Sequence, residues 1–246
     1  MEKDYIIGHH PLREALDKEK EIQRILYMRG LKSPEILQAI SEAKALGIPC
    51  SPVPEQKLAR ITKKNHQGVI AFLSPITFEV LDIFISQLYE AAIVPKVLLL
   101  DGITDVRNFG AVVRSAECLG FHTVVIPTKG MAPINADAIK SSSGALLRLP
   151  ICRTDSVAEC ITYLQSYGIK VIGCTEKSEQ LINETPLGGA ICVVLGNEET
   201  GLSRASLTKA DDLVRIPMSG QVQSLNVAAS GAIAMYEVER QRLASE

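Results

Sequence analysis

The run KVLLLD at residues 96–101 has a charge at each end and only Val and Leu between. A strand with one face in water alternates apolar and polar residues, so a continuous apolar strand must be covered on both faces. AICVVLG at 190–196 has the same character. Two such strands require helices on either side of a sheet, the architecture of α/β proteins with mainly parallel strands. The rest of the sequence supplies the alternation. A helix over Gly110–Leu119 follows the first strand, then a strand in HTVVIP, a short helix near Asp137–Ser142 and a helix in SVAECITYLQSYG. Strands in KVIGCTE, AICVVLGNE and LVRIP and a long helix from about Leu225 complete the pattern. Residues 96–246 are therefore expected to form one domain.

Residues 1–75 read as a smaller α/β unit. HHPLREALDK places Leu12, Ala15 and Leu16 on one helical face. EIQRILYMRG reads as a strand ending at Gly30. In SPEILQAISEAKALG, Ser33 is the expected N-cap, Pro34 the first helical residue and Gly47 the stop. IPCSPV, EQKLARIT and QGVIAFLSP read as strand, helix and strand. Residues 74–95 read as a helix between prolines, either a linker between the two domains over 76–95 or the first element of the second domain.

Bulk properties remove several classes of function. No apolar run reaches the roughly 18–20 residues of a membrane span. The charged start MEKDYIIGHH has no apolar signal region, so a cytoplasmic protein is expected. The six cysteines form no CxxC pair and sit in apolar stretches, so most are expected to be buried, with neither disulfides nor a metal site. Residues 1–75 hold 12 Lys+Arg against 9 Asp+Glu, a net +3, whereas 96–246 hold 14 against 16. The mildly basic part is thus N-terminal, and Arg60, Lys63 and Lys64 near Asn65 and His66 are candidates for phosphate contact or simply a solvated loop.

Ligands of open parallel sheets bind beyond the carboxyl ends of the strands, and three strand ends here carry unusual residues. After KVLLLD, Asp101, Gly102, Asp105 and Asn108 crowd a turn, with Asn108 placed to cap the next helix. Arg114 interrupts the apolar run AVVRSA, either as a surface residue paired with Glu117 or as a functional cation. After AICVVL comes GNEETGLS. It resembles GxxxxG but lacks the Lys-Ser/Thr of a phosphate loop, and Glu198 and Glu199 oppose a polyphosphate. Glu198 reads equally as part of a charged turn or of a site. The third is IPMSGQVQSLNVA at 216–228, uncharged throughout. Ser224 there is a candidate helix cap, while Asn226 lies where capping does not obviously need it. No GxGxxG, GxSxG or HExxH is present, and His122, heading an apolar strand, reads as structural.

Together NFGAVVR (108–114), GNEETG (196–201) and IPMSGQVQSLNVA (216–228) resemble the three motifs of the SpoU/TrmH-type RNA 2′-O-ribose methyltransferases of the SPOUT superfamily. IIGHHPLREAL and NHQGVIAF extend the likeness to the small substrate-binding domain of the bacterial ribosomal-RNA guanosine 2′-O-methyltransferases of this family. One departure is visible: the first motif often reads D-P-x-N and here is Asp105-Val106-Arg107-Asn108, which leaves Arg107 open to extra RNA contact.

The resemblance implies a C-terminal deep trefoil knot, an exception to the usual rule against threaded connections. It also implies a homodimer, no metal, and S-adenosylmethionine bound by Gly196, Ile216, Met218 and Leu225. The implied reaction is methyl transfer to a ribose 2′-hydroxyl of RNA, by resemblance a guanosine of large-subunit (23S) ribosomal RNA. Asn108, Arg114, Glu198, Ser224 and Asn226 are the implied catalytic set. Arg114 is placed near the hydroxyl, as base or as positioner. An arginine is an awkward base, since a guanidinium releases its proton only above about pH 12. Glu198 is expected to hold Arg114 or neighbouring backbone. Ser224 and Asn226 are expected to bond the ribose or the loop. The alternatives are a tRNA ribose methyltransferase of the same family and a non-catalytic RNA-binding assembly protein.

Overall fold

The computed structural model describes residues 5–222 and 224–245. The chain divides into two compact units, one ending at Thr77 and the other beginning at Phe78.

The first unit contains β1 (Tyr5–Ile7), α1 (His9–Asp17), β2 (Ile22–Met28), α2 (Pro34–Ala45), β3 (Cys50–Val53), α3 (Glu55–Ile61) and β4 (Val69–Leu73). The sheet order is β1-β4-β2-β3, with β4 antiparallel to both its neighbours. The side-chain period of two sorts β4 cleanly. Val69 and Ala71 face a core shared with Leu12, Leu16, Ile36 and Ile40 of α1 and α2. Ile70 faces the other way, against Leu58 of α3. Ser33 caps α2 by accepting from Ile36 N at 3.4 Å, as its sequence position foretells.

The second unit follows with α4 (Leu81–Glu90), β5 (Lys96–Asp101), α5 (Val106–Cys118), β6 (Thr123–Pro127), α6 (Ala136–Ser141), β7 (Ile151–Thr154) and α7 (Val157–Ser166). Then come β8 (Lys170–Cys174), β9 (Ile191–Gly196), α8 (Arg204–Lys209), β10 (Asp212–Val214) and α9 (Val227–Leu243). The six strands are all parallel in the order β10-β8-β9-β5-β6-β7. Every residue of the two central strands, β5 and β9, is buried, which is the condition their apolar runs demand. One face presents Cys192 and Val194 to Ile161 and Leu164 of α7 and to Ile85 and Leu88 of α4. The other face presents Leu195 to α9 at Gly231, where an added Cβ would sit 2.6 Å from Leu195 Cδ1.

Several sequence expectations need correction. The helix read across 74–95 occupies only Leu81–Glu90, because Glu79 pairs in parallel with Cys152 beside β7. It lies in the core of the second unit, through Ile85 and Leu88. α5 begins four residues before Gly110. The strand β7 and the helix α8 were not foreseen: one is four residues at a sheet edge, the other six residues rich in polar side chains, too short for either period to register. Of the cysteines, Cys152, Cys160 and Cys192 are buried, but Cys118 is exposed on α5.

Candidate active site

The register of the central strands brings the first two loops together. Asp101 stands opposite Gly196 at the carboxyl edge, so the turns after β5 and β9 start side by side. Asp101 itself is spent on architecture: its carboxylate accepts from Ser203 N at 2.7 Å and Ser206 Oγ at 2.6 Å, fastening the start of α8.

The GNEETG loop closes on itself. Asn197 N donates to Gly201 O at 2.9 Å and Gly201 N to Asn197 O at 3.0 Å. The Asn197 side chain accepts from Glu199 N and Thr200 N inside the turn and donates to Gly102 O at 2.8 Å across to the first loop. Both glycines are required by this turn. A Cβ on Gly196 would fall on the backbone of Gly201 and Leu202, and Gly201 has φ +72°. Asn197 was not singled out as a site residue in the sequence, although it organises the loop.

The N-cap of α5 is Asp105, not Asn108. Its Oδ1 accepts from Arg107 N at 2.8 Å and Asn108 N at 2.9 Å. This frees the Asn108 side chain, which donates from Nδ2 to Glu198 Oε1 at 3.2 Å. Glu198 also faces Asp105 N and Thr104 N, each at 3.4 Å. The carboxylate therefore lies at the positive end of α5, where charge and dipole attract. Of the two partners expected for Glu198, the neighbouring backbone is the one it takes.

The third loop joins through Asn226, which proves to be the N-cap of α9. Its Oδ1 accepts from Ala228 N at 2.9 Å, and its Nδ2 donates to Asn108 Oδ1 at 3.0 Å. Ser224, the alternative cap, is exposed on the rim instead.

These contacts enclose a pocket of about 400 Å³. Gly196, Ile216, Met218 and Leu225 line it together with Asn108, Glu198, Ser224 and Asn226. Eight of the nine residues singled out in the sequence thus share one cavity, and Arg114 does not line it. Arg114 is exposed on α5 and makes no hydrogen bond or ion pair among the described residues; Glu117, its expected partner, lies 3.9 Å from Arg148. The sequence also left out Thr175, Glu176 and Lys177, which line the pocket from the end of β8. Their position after a buried strand was the available signal. Burial pushes the thiol of Cys174 beside them up to about 12, which disfavours the thiolate that a nucleophile needs. Among the described residues no cluster of three His, Cys, Asp or Glu side chains is gathered to hold a metal, and no helix is long and apolar enough to cross a membrane.

Residues 95–236 match the model of the SpoU rRNA Methylase family. The chain belongs to this family of RNA methyltransferases. Residues 5–79 match a second model, RNA 2′-O ribose methyltransferase substrate binding. A TrmH-family tRNA/rRNA methyltransferase homologue in Staphylococcus aureus (strain MSSA476) is 33% identical over 242 residues, 98% of each chain. The 23S rRNA (guanosine-2′-O-)-methyltransferase RlmB of Vibrio vulnificus is 32% identical over 248 residues, covering both chains in full. Among solved structures, the SpoU methyltransferase AviRb of Streptomyces viridochromogenes, in complex with AdoMet, has the same fold. Its TM-score is 0.62 at 24% identity, over 98% of this chain and 90% of that one.

Proposed function

We propose that this SpoU-family enzyme transfers a methyl group from S-adenosylmethionine to a ribose 2′-hydroxyl in RNA, at a guanosine of 23S ribosomal RNA. The observation that carries the reading is the side-chain relay from Asn226 through Asn108 to Glu198, which ties three strand-end loops around one pocket. The ribosomal target rests on the likeness to the Vibrio vulnificus enzyme over the whole length of both chains. A tRNA target is the second reading, favoured by the name of the Staphylococcus aureus relative.

The pocket fits the cofactor in size and chemistry. A cavity near 400 Å³ lies in the range of small-ligand sites. Ile216, Met218, Leu195 and Leu225 offer it an apolar wall, and the backbone of the Gly196–Gly201 turn offers polar groups. Bound there, S-adenosylmethionine supplies an electrophilic methyl on a cationic sulfonium. The work left to the protein is to bring a weakly acidic hydroxyl into line. Asn226 and Asn108 fix the loops on which that line depends, Ser224 on the rim meets the ribose, and Arg114 draws in the adjoining phosphate and hydroxyl.

Arg114 stands outside its own pocket, so we assign it to the site of a second copy. α5 and α9 pack together, and Ile233 and Tyr236 of α9 are 41% and 58% exposed. A homodimer through this surface would cover them and bring Arg114 into the partner's site. The chain also returns from β10, at the sheet edge, to α9 under β9. The far end of α9 is held by Gln241, which accepts from Leu187 N at 2.9 Å and donates to Thr185 O at 3.0 Å. Threading of this return through the segment after β8 would make the trefoil knot. In this scheme residues 1–75 recognise RNA, 96–246 catalyse with α4 packed in their core, and the enzyme works in the cytoplasm.

Calorimetry with S-adenosylmethionine and a map of ribose methylation across total RNA, with and without the protein, test the reading. Stoichiometric cofactor binding and one guanosine that depends on the protein are expected. A folded protein that binds no cofactor ends the proposal.

A further inference from the structure

The two faces of the N-terminal sheet are treated differently. Two helices of nine and twelve residues, α1 and α2, cover one face. Among the described residues of this unit the other has only α3, seven residues long, whose one buried residue is Leu58. Tyr5, Met28 and Phe72 on that side remain half-buried. The Tyr5 and Phe72 rings pack at 6.0 Å, tilted by 53°. Arg24 lies over the Phe72 ring, with Cζ 4.5 Å from its centroid. Burial lowers the proton affinity of this guanidinium, and no carboxylate acts against that.

Charge follows the same asymmetry. Residues 9–20 hold three cations and three carboxylates, and two of the cations are paired: Arg13 bridges Asp17 at 3.0 Å and Glu42 at 2.5 Å, and Lys18 bridges Glu14 at 2.6 Å. Residues 55–64 hold Lys57, Arg60, Lys63 and Lys64 against Glu55 alone. None of these four cations has a side-chain hydrogen bond or ion pair among the described residues. The turn that carries the last two is nonetheless ordered. Gln67 Oε1 accepts from His9 N at 3.0 Å, and His66 Nδ1 accepts from Gly68 N at 3.0 Å. An ordered basic turn loses less entropy when it binds a polyanion.

We propose that the α3 side of this sheet is a docking face for single-stranded RNA, with one base stacked on Arg24 and Phe72 and the flanking phosphates on Lys57, Arg60 and the Lys63–Lys64 turn. Aromatic and guanidinium planes accept any base, and free cations track the backbone. The inference rests on the reading that this enzyme acts on RNA, and narrows it to one face and to unpaired nucleotides.

The test uses the full-length protein and a single-stranded RNA of about 12 nucleotides carrying a central 2-aminopurine. Wild type should quench the fluorescence by stacking. Arg24→Ala should lose the quench and bind about tenfold more weakly. Arg24→Lys should keep the salt dependence but not the quench. Lys57→Ala with Arg60→Ala should reduce the slope of log affinity against log salt by about 1.4, the value for two lost phosphate contacts on a single strand. Arg13→Ala, on the paired face, should match wild type. The proposal is overturned if Arg24→Ala and the double variant bind as wild type does, or if Arg13→Ala loses as much as they do. Circular dichroism verifies folding of each variant. Cofactor calorimetry on the same samples keeps the questions apart: loss of cofactor binding in wild type counts against the methyltransferase reading, whereas the RNA arms judge this face alone.

Discussion

Asn226 Nδ2 donates to Asn108 Oδ1 at 3.0 Å across 118 positions of sequence. The polarity of this bond is determined from both ends. Asn226 must turn its oxygen to Ala228 N, which leaves its amide nitrogen for Asn108, and Asn108 in turn donates to Glu198. The relay ends on the carboxylate oxygen of Glu198, which accepts. Asn226→Asp separates capping from relay. Aspartate still caps α9, so the melting temperature should hold, whereas Asn226→Ala should cost about 1 kcal/mol of stability. The new oxygen opposes Asn108 Oδ1, and rotating Asn108 sets its oxygen against Glu198. Methyl transfer in single turnover should fall about 100-fold, the usual cost of misplacing a reacting group by an ångström. Unimpaired turnover would mean that the relay does not position the site.

Arg114 makes no hydrogen bond or ion pair among the described residues, so its removal should leave the fold almost untouched. Arg114→Ala should change stability by no more than about 0.5 kcal/mol while abolishing methylation of the RNA target. Cofactor affinity and dimer mass by light scattering should persist. Arg114→Lys should recover little, since a lysine lacks the planar fork. Mixing Arg114→Ala with Asn226→Asp should restore activity in the mixed dimers, each of which retains one site with an intact relay and an arginine from the other copy. No recovery on mixing would place Arg114 in its own protomer's site.

The central strands were legible in the sequence because burial on both faces leaves an unbroken apolar run, as in Leu98–Leu100 and Val193–Leu195. The site loops were legible because polar residues at the ends of such strands have no structural need to be there. Caps were harder to read. Asp105, Asn108, Ser224 and Asn226 all have side chains able to cap, and the choice among them depends on where each helix begins, which tertiary packing decides. Asn226 was underestimated for that reason: it both caps and relays. Thr175 to Lys177 escaped notice because their contribution depends on β8 lying beside β9, and strand order is not written in local pattern. Arg114 stood out only as a cation in an apolar run, and nothing local tells which copy of the site it serves.

The opposite end of β5 should set the acid sensitivity of the fold. Lys96, with its side chain 5% exposed, donates to Glu239 Oε2 at 2.6 Å and so fastens α9 to the sheet. His122 Nδ1 accepts from Lys96 N at 2.9 Å. Burial, and after it the charges of Lys96 and Arg242, lower the His122 pKa. The unfolded chain therefore takes up this proton first, and stability should decline as pH falls from about 6.5. The hydrogen bond from Lys96, and further the contacts with Arg242, lower the Glu239 pKa. Its contribution is complete above about pH 4.3 and is lost as pH falls through the depressed folded value. In melts across pH, His122→Gln should flatten the first decline and Glu239→Gln the second. Glu239→Gln should also cost about 3 kcal/mol at neutral pH, because Lys96 stays buried without its counter-charge. An unchanged pH profile in both variants would refute the assignment.

Gly110 offers a case in which two effects of opposite sign can be weighed. It lies inside α5, where alanine is favoured over glycine by about 1 kcal/mol. A Cβ there would strike Ser141 Oγ and lie 2.7 Å from Ser141 Cβ and 2.8 Å from Ser142 N. Ser142 is fully buried and caps the end of α6, its backbone N donating to Ala138 O at 3.0 Å, so the contact cannot be relieved by turning one side chain. Overpacking of this kind costs about 1–3 kcal/mol, and the helix preference should lose to it. The damage should extend to the pocket. Ser141 Oγ donates to Val106 O at 3.1 Å, so pushing α6 away disturbs the first turn of α5, which carries Asn108. Gly110→Ala should therefore lower the melting temperature and slow methylation together. A variant as stable as wild type and fully active would show that the α5–α6 contact yields without moving Asn108.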